Sequence, residues 1–130
     1  MGLDEAEVFH AGSREWISAS KRAAEVMPRL WDRPRKPTAI FAISDAAAVG
    51  TLYWLHSHHV SVPEEVSLLS YGGSAWTRET LPELTSVVTP VERVVAESFR
   101  LLLSESGKAE HCLVAPDFQV GGTLAPPSEL

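Results

Sequence analysis

The sequence has 130 residues, 45% of them hydrophobic and 22% charged, with a formal net charge of −6. That suffices for one compact domain with a modest core, and no apolar run approaches the roughly 20 residues that a membrane-spanning helix needs. From Pro37 to Leu130 four Lys/Arg stand against eleven acids, a poor match to a nucleic-acid backbone. The basic cluster RLWDRPRK, with Arg29, Arg33, Arg35 and Lys36, reads as a solvated helix end. Cys112 is the single cysteine, so an internal disulfide is ruled out and a reducing, cytoplasmic setting is expected. MGLDEAEVFH lacks the basic and apolar regions of an export signal.

In chain order, Val8 to His10 reads as a short strand. Ser18 to Trp31 reads as a helix, because Ala19, Ala23, Val26, Met27, Leu30 and Trp31 form one continuous stripe. Two prolines break the pattern between Asp32 and Pro37. TAIFAI (Thr38 to Ile43) is an apolar run without alternation, the pattern of a strand covered on both faces. Ser44 and Asp45 can both cap the helix predicted from about Ala46 to His58. SVPEE is a turn, VSLLSY (Val66 to Tyr71) a second buried strand, and Gly72-Gly73 closes it. Ala75 to Glu79 fits one helical turn, and LTSVV (Leu84 to Val88) a third strand.

TPVE opens the last helix, with Thr89 as cap, Pro90 at the first helical position and Glu92 completing a capping box. The helix runs to about Ser104 with a stripe of Val91, Val94, Val95, Phe99, Leu102 and Leu103; Leu101 falls off the stripe. HCLVA and FQVGG are expected as short strands, and APPSEL as a frayed tail. Strands alternating with helices mean βαβ units and a parallel sheet. Ligands bind at the carboxyl ends of such strands. Ser44-Asp45 and Gly72-Gly73-Ser74 both follow a strand and should line that edge together.

Several chemistries compete for the stretch LLSYGGSAW. A serine hydrolase using Ser74 would need the turn G-x-S-x-G, but Trp76 stands in place of the second glycine. His111 precedes Asp117, the wrong order for a triad on that fold. A phosphate cradle would need G-x-G-x-x-G or a P-loop lysine, and neither is present. His56, His58 and His59 lack metal-ligand spacing, and His111 and Cys112, adjacent in a strand, would point to opposite faces, with Cys112 a small buried apolar residue. No metal and no cofactor is expected. Trp31 and Trp54 belong to the core; Trp16 and Trp76 lie near loops, where they either pack locally or stack on a flat ligand or sugar face.

KPTAIFAISDAAAVGTL, VPEEVSLLSYGG, LPELTSVVTPVE and FQVGGTLAPP occur in the order seen in the lactose-repressor (LacI/GalR) family of bacterial transcription regulators. The chain resembles that family over nearly its whole length, with EWISAS similar to the segment opening the preceding helix. The resemblance implies a three-layer α/β fold, a mostly parallel sheet with helices on both faces like periplasmic sugar-binding proteins, here as a partial lobe. Residues 1–88 would be part of the C-terminal lobe of an effector-binding core, and residues 89–130 the crossover helix and terminal strands between lobes. The DNA-binding headpiece is absent, so the chain reads as a fragment that should not bind an operator alone.

The resemblance further implies a small-molecule effector, sugar-like, coupled to operator DNA affinity without catalysis, and a homo-oligomer. A transport-type periplasmic sugar-binding protein is the alternative on the same fold. The aromatic that stacks on the effector falls on Trp16, a polar contact on Ser44 and the following Asp on Asp45. The effector-contacting carboxylate of the family falls on Gly72, and its neighbour on Gly73. The helix-opening glycine is Lys21 here, and an arginine near the last strand is Gly121 or Gly122. With Trp76 at the rim, the expected effector-binding residues are Trp16, Ser44, Asp45, Gly72 and Trp76.

Overall fold

The computed structural model describes residues 18–104 and 111–126; the expected strand at Val8 to His10, and Trp16, lie outside them. Four strands form one sheet in the order β1-β2-β3-β4: β1 (Ala39–Ala42), β2 (Ser67–Gly72), β3 (Thr85–Val88) and β4 (Asp117–Gln119). The first three are parallel, with Ala42 opposite Ser70 and Ser70 opposite Ser86. β4 returns antiparallel, with Val88 opposite Asp117. Three helices, α1 (Ala19–Trp31), α2 (Asp45–Ser57) and α3 (Val91–Leu102), and a 3-10 turn at Ala75–Arg78 complete the described elements. This is the mostly parallel α/β architecture that the sequence implied.

α1 begins where expected, with the Ser18 side chain accepting from the Lys21 N–H. It packs on α2, and its backbone at Ser20 comes so close to Gly50 that a Cβ there would stand 2.0 Å from the Ser20 carbonyl oxygen. α2 in turn covers β1 and β2. Met27, Ala42, Ala48, Leu52, Leu55, Val66, Leu68 and Leu84 make the core between them. Trp54 is buried beneath the edge of Trp31, at 6.2 Å between ring centroids, and stacks on His58 at 3.8 Å. Of the histidine run, His58 thus closes α2, its Nδ1 beside the Trp54 carbonyl, and His59 takes the left-handed conformation just past it.

TAIFAI and VSLLSY are not covered on both faces among the described residues. Side chains alternate across a strand. Ala42, Leu68 and Ser70 face α2 and are buried, whereas Phe41 is 56% exposed, Tyr71 43% and Phe118 57%. The reason is that α2, which packs on β1 and β2, covers one face of them, and α1 packs on α2. HCLVA forms no strand, because none of the described residues pairs with it: Leu113 is exposed, and so is Cys112, whose thiol lies 3.6 Å from the Glu97 carboxylate. The last strand sits at Asp117–Gln119, earlier than FQVGG.

After β4 the chain crosses beneath the start of β2 and β3 and wedges between them. Thr123 is fully buried; its carbonyl accepts from Leu68 N–H at 2.8 Å. Its hydroxyl donates to the Leu68 carbonyl at 2.6 Å and accepts from Thr85 N–H at 2.9 Å. Ser67 and Ala125 exchange two further bonds, and Gly121 N–H donates to the Thr85 hydroxyl. This segment takes the place of ladder bonds at the point where β2 and β3 splay apart. Thr123→Val keeps the volume and strands a buried N–H and a buried carbonyl. We expect a loss of about 2–3 kcal/mol in urea unfolding, with the helical signal of the native state unchanged.

Candidate functional site

The carboxyl ends of β1, β2 and β3 and the start of β4 form one edge. On it lie Ser44-Asp45, Gly72-Gly73-Ser74 with Trp76, Thr89-Pro90, and Asp117. Ser44 caps α2: its backbone is extended and its Oγ accepts from Ala47 N–H at 3.2 Å. Asp45, expected as a second cap, does something else. It is the first residue of α2, 7% exposed, and turns back over the strand ends. Its Oδ1 accepts from the hydroxyls of Ser70 at 2.8 Å and Ser86 at 3.4 Å, and its Oδ2 from Ser74 N–H at 2.7 Å.

The glycine turn is therefore an anion cradle after all, but the anion belongs to the chain. Successive N–H groups in a turn with one positive-φ residue form a concave nest for negative charge. Here Gly72 and Gly73 have φ of 136° and 80°, and the turn they make presents the Ser74 N–H to the Asp45 carboxylate. A side chain at position 72 has no room, since its Cβ would lie 2.7 Å from Asp45 Oδ2. At position 73 it would meet both Val88 methyls at 2.6 Å. Both glycines are required by conformation and by space.

Two residues of this constellation were not singled out in the sequence. Ser70 and Ser86 each interrupt an apolar strand, in LLSY and TSVV, and the register places them side by side beneath Asp45. A hydroxyl in a buried strand must find a partner, and that was the available signal. Arg93 and Asp117 were also missed: the Arg93 guanidinium lies 2.5 Å from the Asp117 carboxylate and also donates to the Ala115 carbonyl. They line a shallow cavity of about 330 Å³ with Thr89, Pro90, Val91 and Glu92. No sequence pattern links residues 24 apart.

Trp76 stands on the 3-10 turn with 69% of its surface exposed, so among the described residues it is the expected effector contact that offers an aromatic face to solvent. Gly72 contributes backbone alone. Ser74 is engaged with Asp45 through its amide, and Thr77 N–H in turn donates to the Ser74 carbonyl at 3.0 Å. Among the described residues no group of three or more His, Cys, Asp or Glu is placed to hold a metal ion. No helix among them is long and apolar enough to cross a membrane.

Burial pushes the Asp45 carboxyl up, but the hydrogen bonds from Ser74, Ser70 and Gly73 outweigh it and hold the group below its ordinary value of 3.8. A carboxylate whose folded pKa is depressed stabilises the fold above its unfolded pKa, and that contribution disappears as pH falls through the folded value. Asp45→Asn should therefore be less stable than wild type at neutral pH by about 1–3 kcal/mol. The difference should shrink as the pH is lowered below 3.8; urea titrations of both proteins across that range measure it.

The sequence pattern of the family described as "Periplasmic binding protein-like domain" matches residues 2–123. Among curated relatives, the HTH-type transcriptional regulator AscG of Escherichia coli is 36% identical over 83 residues, 64% of this chain and 24% of its own length. The probable HTH-type transcriptional repressor ExuR of Bacillus subtilis is 30% identical over 100 residues, 74% of this chain and 30% of its own. The chain thus spans less than a third of these relatives. A LacI transcriptional regulator from a Rhodococcus species superposes with a TM-score of 0.75 at 26% identity, over 85% of this chain and 42% of that one. The transcriptional regulator CelR in complex with cellobiose superposes at 0.73 and 27% identity, over 80% and 33%.

Proposed function

This chain belongs to the periplasmic binding protein-like domain family, in its LacI-type transcription regulator branch, and from that premise we propose that it is part of an effector-binding core. Residues 1–88 belong to one lobe and residues 89–130 form the crossover and the strand that returns from it. A small molecule of sugar or related type binds at the carboxyl edge of the sheet, against Trp76, with Ser44 and the Gly72 backbone beside it and Trp16 as a second aromatic. Asp45 serves that edge by holding its shape, since its oxygens already accept hydrogen bonds from within the chain. Effector binding shifts the arrangement of two lobes, and operator affinity follows through a DNA-binding unit elsewhere in the regulator. The similarity to a cellobiose-bound regulator supports the ligand class.

The observation that carries this reading is α3. The helix has a continuous apolar stripe, yet none of its residues is buried: Val91, Val94, Val95, Phe99 and Leu102 all face solvent. Its other side, Arg93 and Glu97, meets the segment before β4. A helix that shows its own chain the polar side is shaped for an apolar partner outside these residues. The second lobe is that partner in the regulator, and another copy of the chain replaces it when this chain is alone.

Two measurements test the reading. Sedimentation of the chain at rising concentration should show self-association, since each large apolar side chain covered contributes roughly 1.5–3 kcal/mol; Phe99→Glu should return it to monomer with an unchanged circular dichroism spectrum. Calorimetric titration with mono- and disaccharides should find a ligand whose affinity falls about tenfold or more in Trp76→Ala, the loss of one stacking contact in a ligand pocket. A ligand whose affinity Trp76→Ala leaves unchanged would place the site elsewhere.

A further inference from the structure

The turn that cradles Asp45 is also joined to the crossover. On one side the place of a Gly72 Cβ is occupied by Asp45 Oδ2. On the other the Gly73 backbone rests against both Val88 methyls. The last rung of the β2–β3 ladder runs from Thr89 N–H to the Gly72 carbonyl at 3.1 Å. Thr89 then accepts from Val91 N–H, and Pro90 from Val94 N–H, so the same chain path sets the first turn of α3. The capping box expected from Thr89 and Glu92 does not form. The cap is Pro90, without a side-chain bond, and the Thr89 N–H that a capping-box Glu92 would have met donates instead to the Gly72 carbonyl.

Two consecutive glycines at positive φ have little conformational preference of their own. What fixes the turn is the carboxylate on one side and Val88 on the other. We propose that Asp45 is a positioning residue that locks the 72–74 turn and, through Gly72–Thr89 and Gly73–Val88, the crossover into α3, so that rim and crossover open and close as one unit. This rests on the reading of that edge as the effector rim, and it names the element that carries the effector's signal. A ligand on Trp76, two residues beyond Ser74, biases the turn; the turn biases the start of α3. Coupling of this kind requires one element with two arrangements that both sites touch, and the glycine pair is that element.

Amide hydrogen exchange by NMR on the chain without ligand tests the coupling independently of any effector. The diagnostic amides are Ser74, which donates to Asp45, and Thr89, Val91 and Val94 in the crossover; Ser67 and Leu68 report the far end of the sheet. Asp45→Asn should speed exchange at Ser74 and at all three crossover amides by a similar factor, about tenfold, with a smaller change at Ser67 and Leu68. Thr123→Val is the control: it should speed Leu68 more than Ser74 and Thr89, the reverse of the order in Asp45→Asn. Should Asp45→Asn not fold, Ser86→Ala removes the longest of the bonds to the carboxylate and is read by the same criteria, with a smaller factor. Faster exchange at Ser74 with Thr89, Val91 and Val94 unchanged, or equal acceleration at every amide, would overturn the proposal. Failure to find any sugar ligand leaves this result standing, so the two readings are separable.

Discussion

One buried carboxylate organises the carboxyl edge of this sheet. Parallel strands leave their last carbonyl and N–H groups without ladder partners, and a tight glycine turn adds further N–H groups in the same small volume. Asp45 gathers Ser70, Ser86 and the Ser74 amide onto two oxygens. Its place in the first turn of α2 adds the favourable end of the helix dipole. A neutral side chain of the same size would keep part of this set and lose the charge-assisted part. That is why a carboxylate at 7% exposure stays ionised: its donors outweigh the cost of its desolvation.

The opposite end of the sheet uses a neutral device for the same purpose. There β2 and β3 diverge, and Thr123 enters between them with backbone and hydroxyl both engaged. Each end of the β2–β3 pair is therefore closed by side chains from distant sequence, Asp45 at one end and Thr123 at the other. Between them the two strands need only four paired residues each. No buried side-chain polar atom among the described residues lacks a partner. The few polar groups inside this sheet are thus structural parts rather than leftovers.

Much of this was legible in the sequence, and the failures share a cause. Periodicity and capping residues placed α1, α2 and the three parallel strands to within a residue or two, because those signals are local. The edge shared by Ser44-Asp45 and the glycine turn followed from the βα order alone. What could not be read was burial. TAIFAI has the composition of a doubly covered strand, yet Phe41 is exposed, because composition records the complete protein and not which layers the described residues supply. HCLVA has strand-forming residues but no strand to pair with among the described residues. The role of Asp45 was misread as a cap because its partners lie 25 to 41 residues away, and the serines that receive it look like blemishes in apolar strands until the register aligns them.

α3 shows where the rigid part of the fold ends. Its stripe is as regular as that of any core helix, but the chain meets it with its polar side, through an Arg93–Asp117 pair whose side chains are both more than half exposed. Such a pair contributes about 0–1 kcal/mol, less than the burial of a single valine or leucine. That pair by itself therefore adds little to fixing the direction of α3. The chain leading into it, Val88, Thr89 and Pro90, is held against the glycine turn, by Thr89 N–H on the Gly72 carbonyl and Val88 beside Gly73. A rigid edge holding a weakly restrained helix is the mechanical requirement for a lever. Small changes at the edge are not absorbed by a packed helix, and they are not resisted by one. In this protein the edge from which α3 departs is held by Asp45, through its bonds to Ser70, Ser86 and the Ser74 amide.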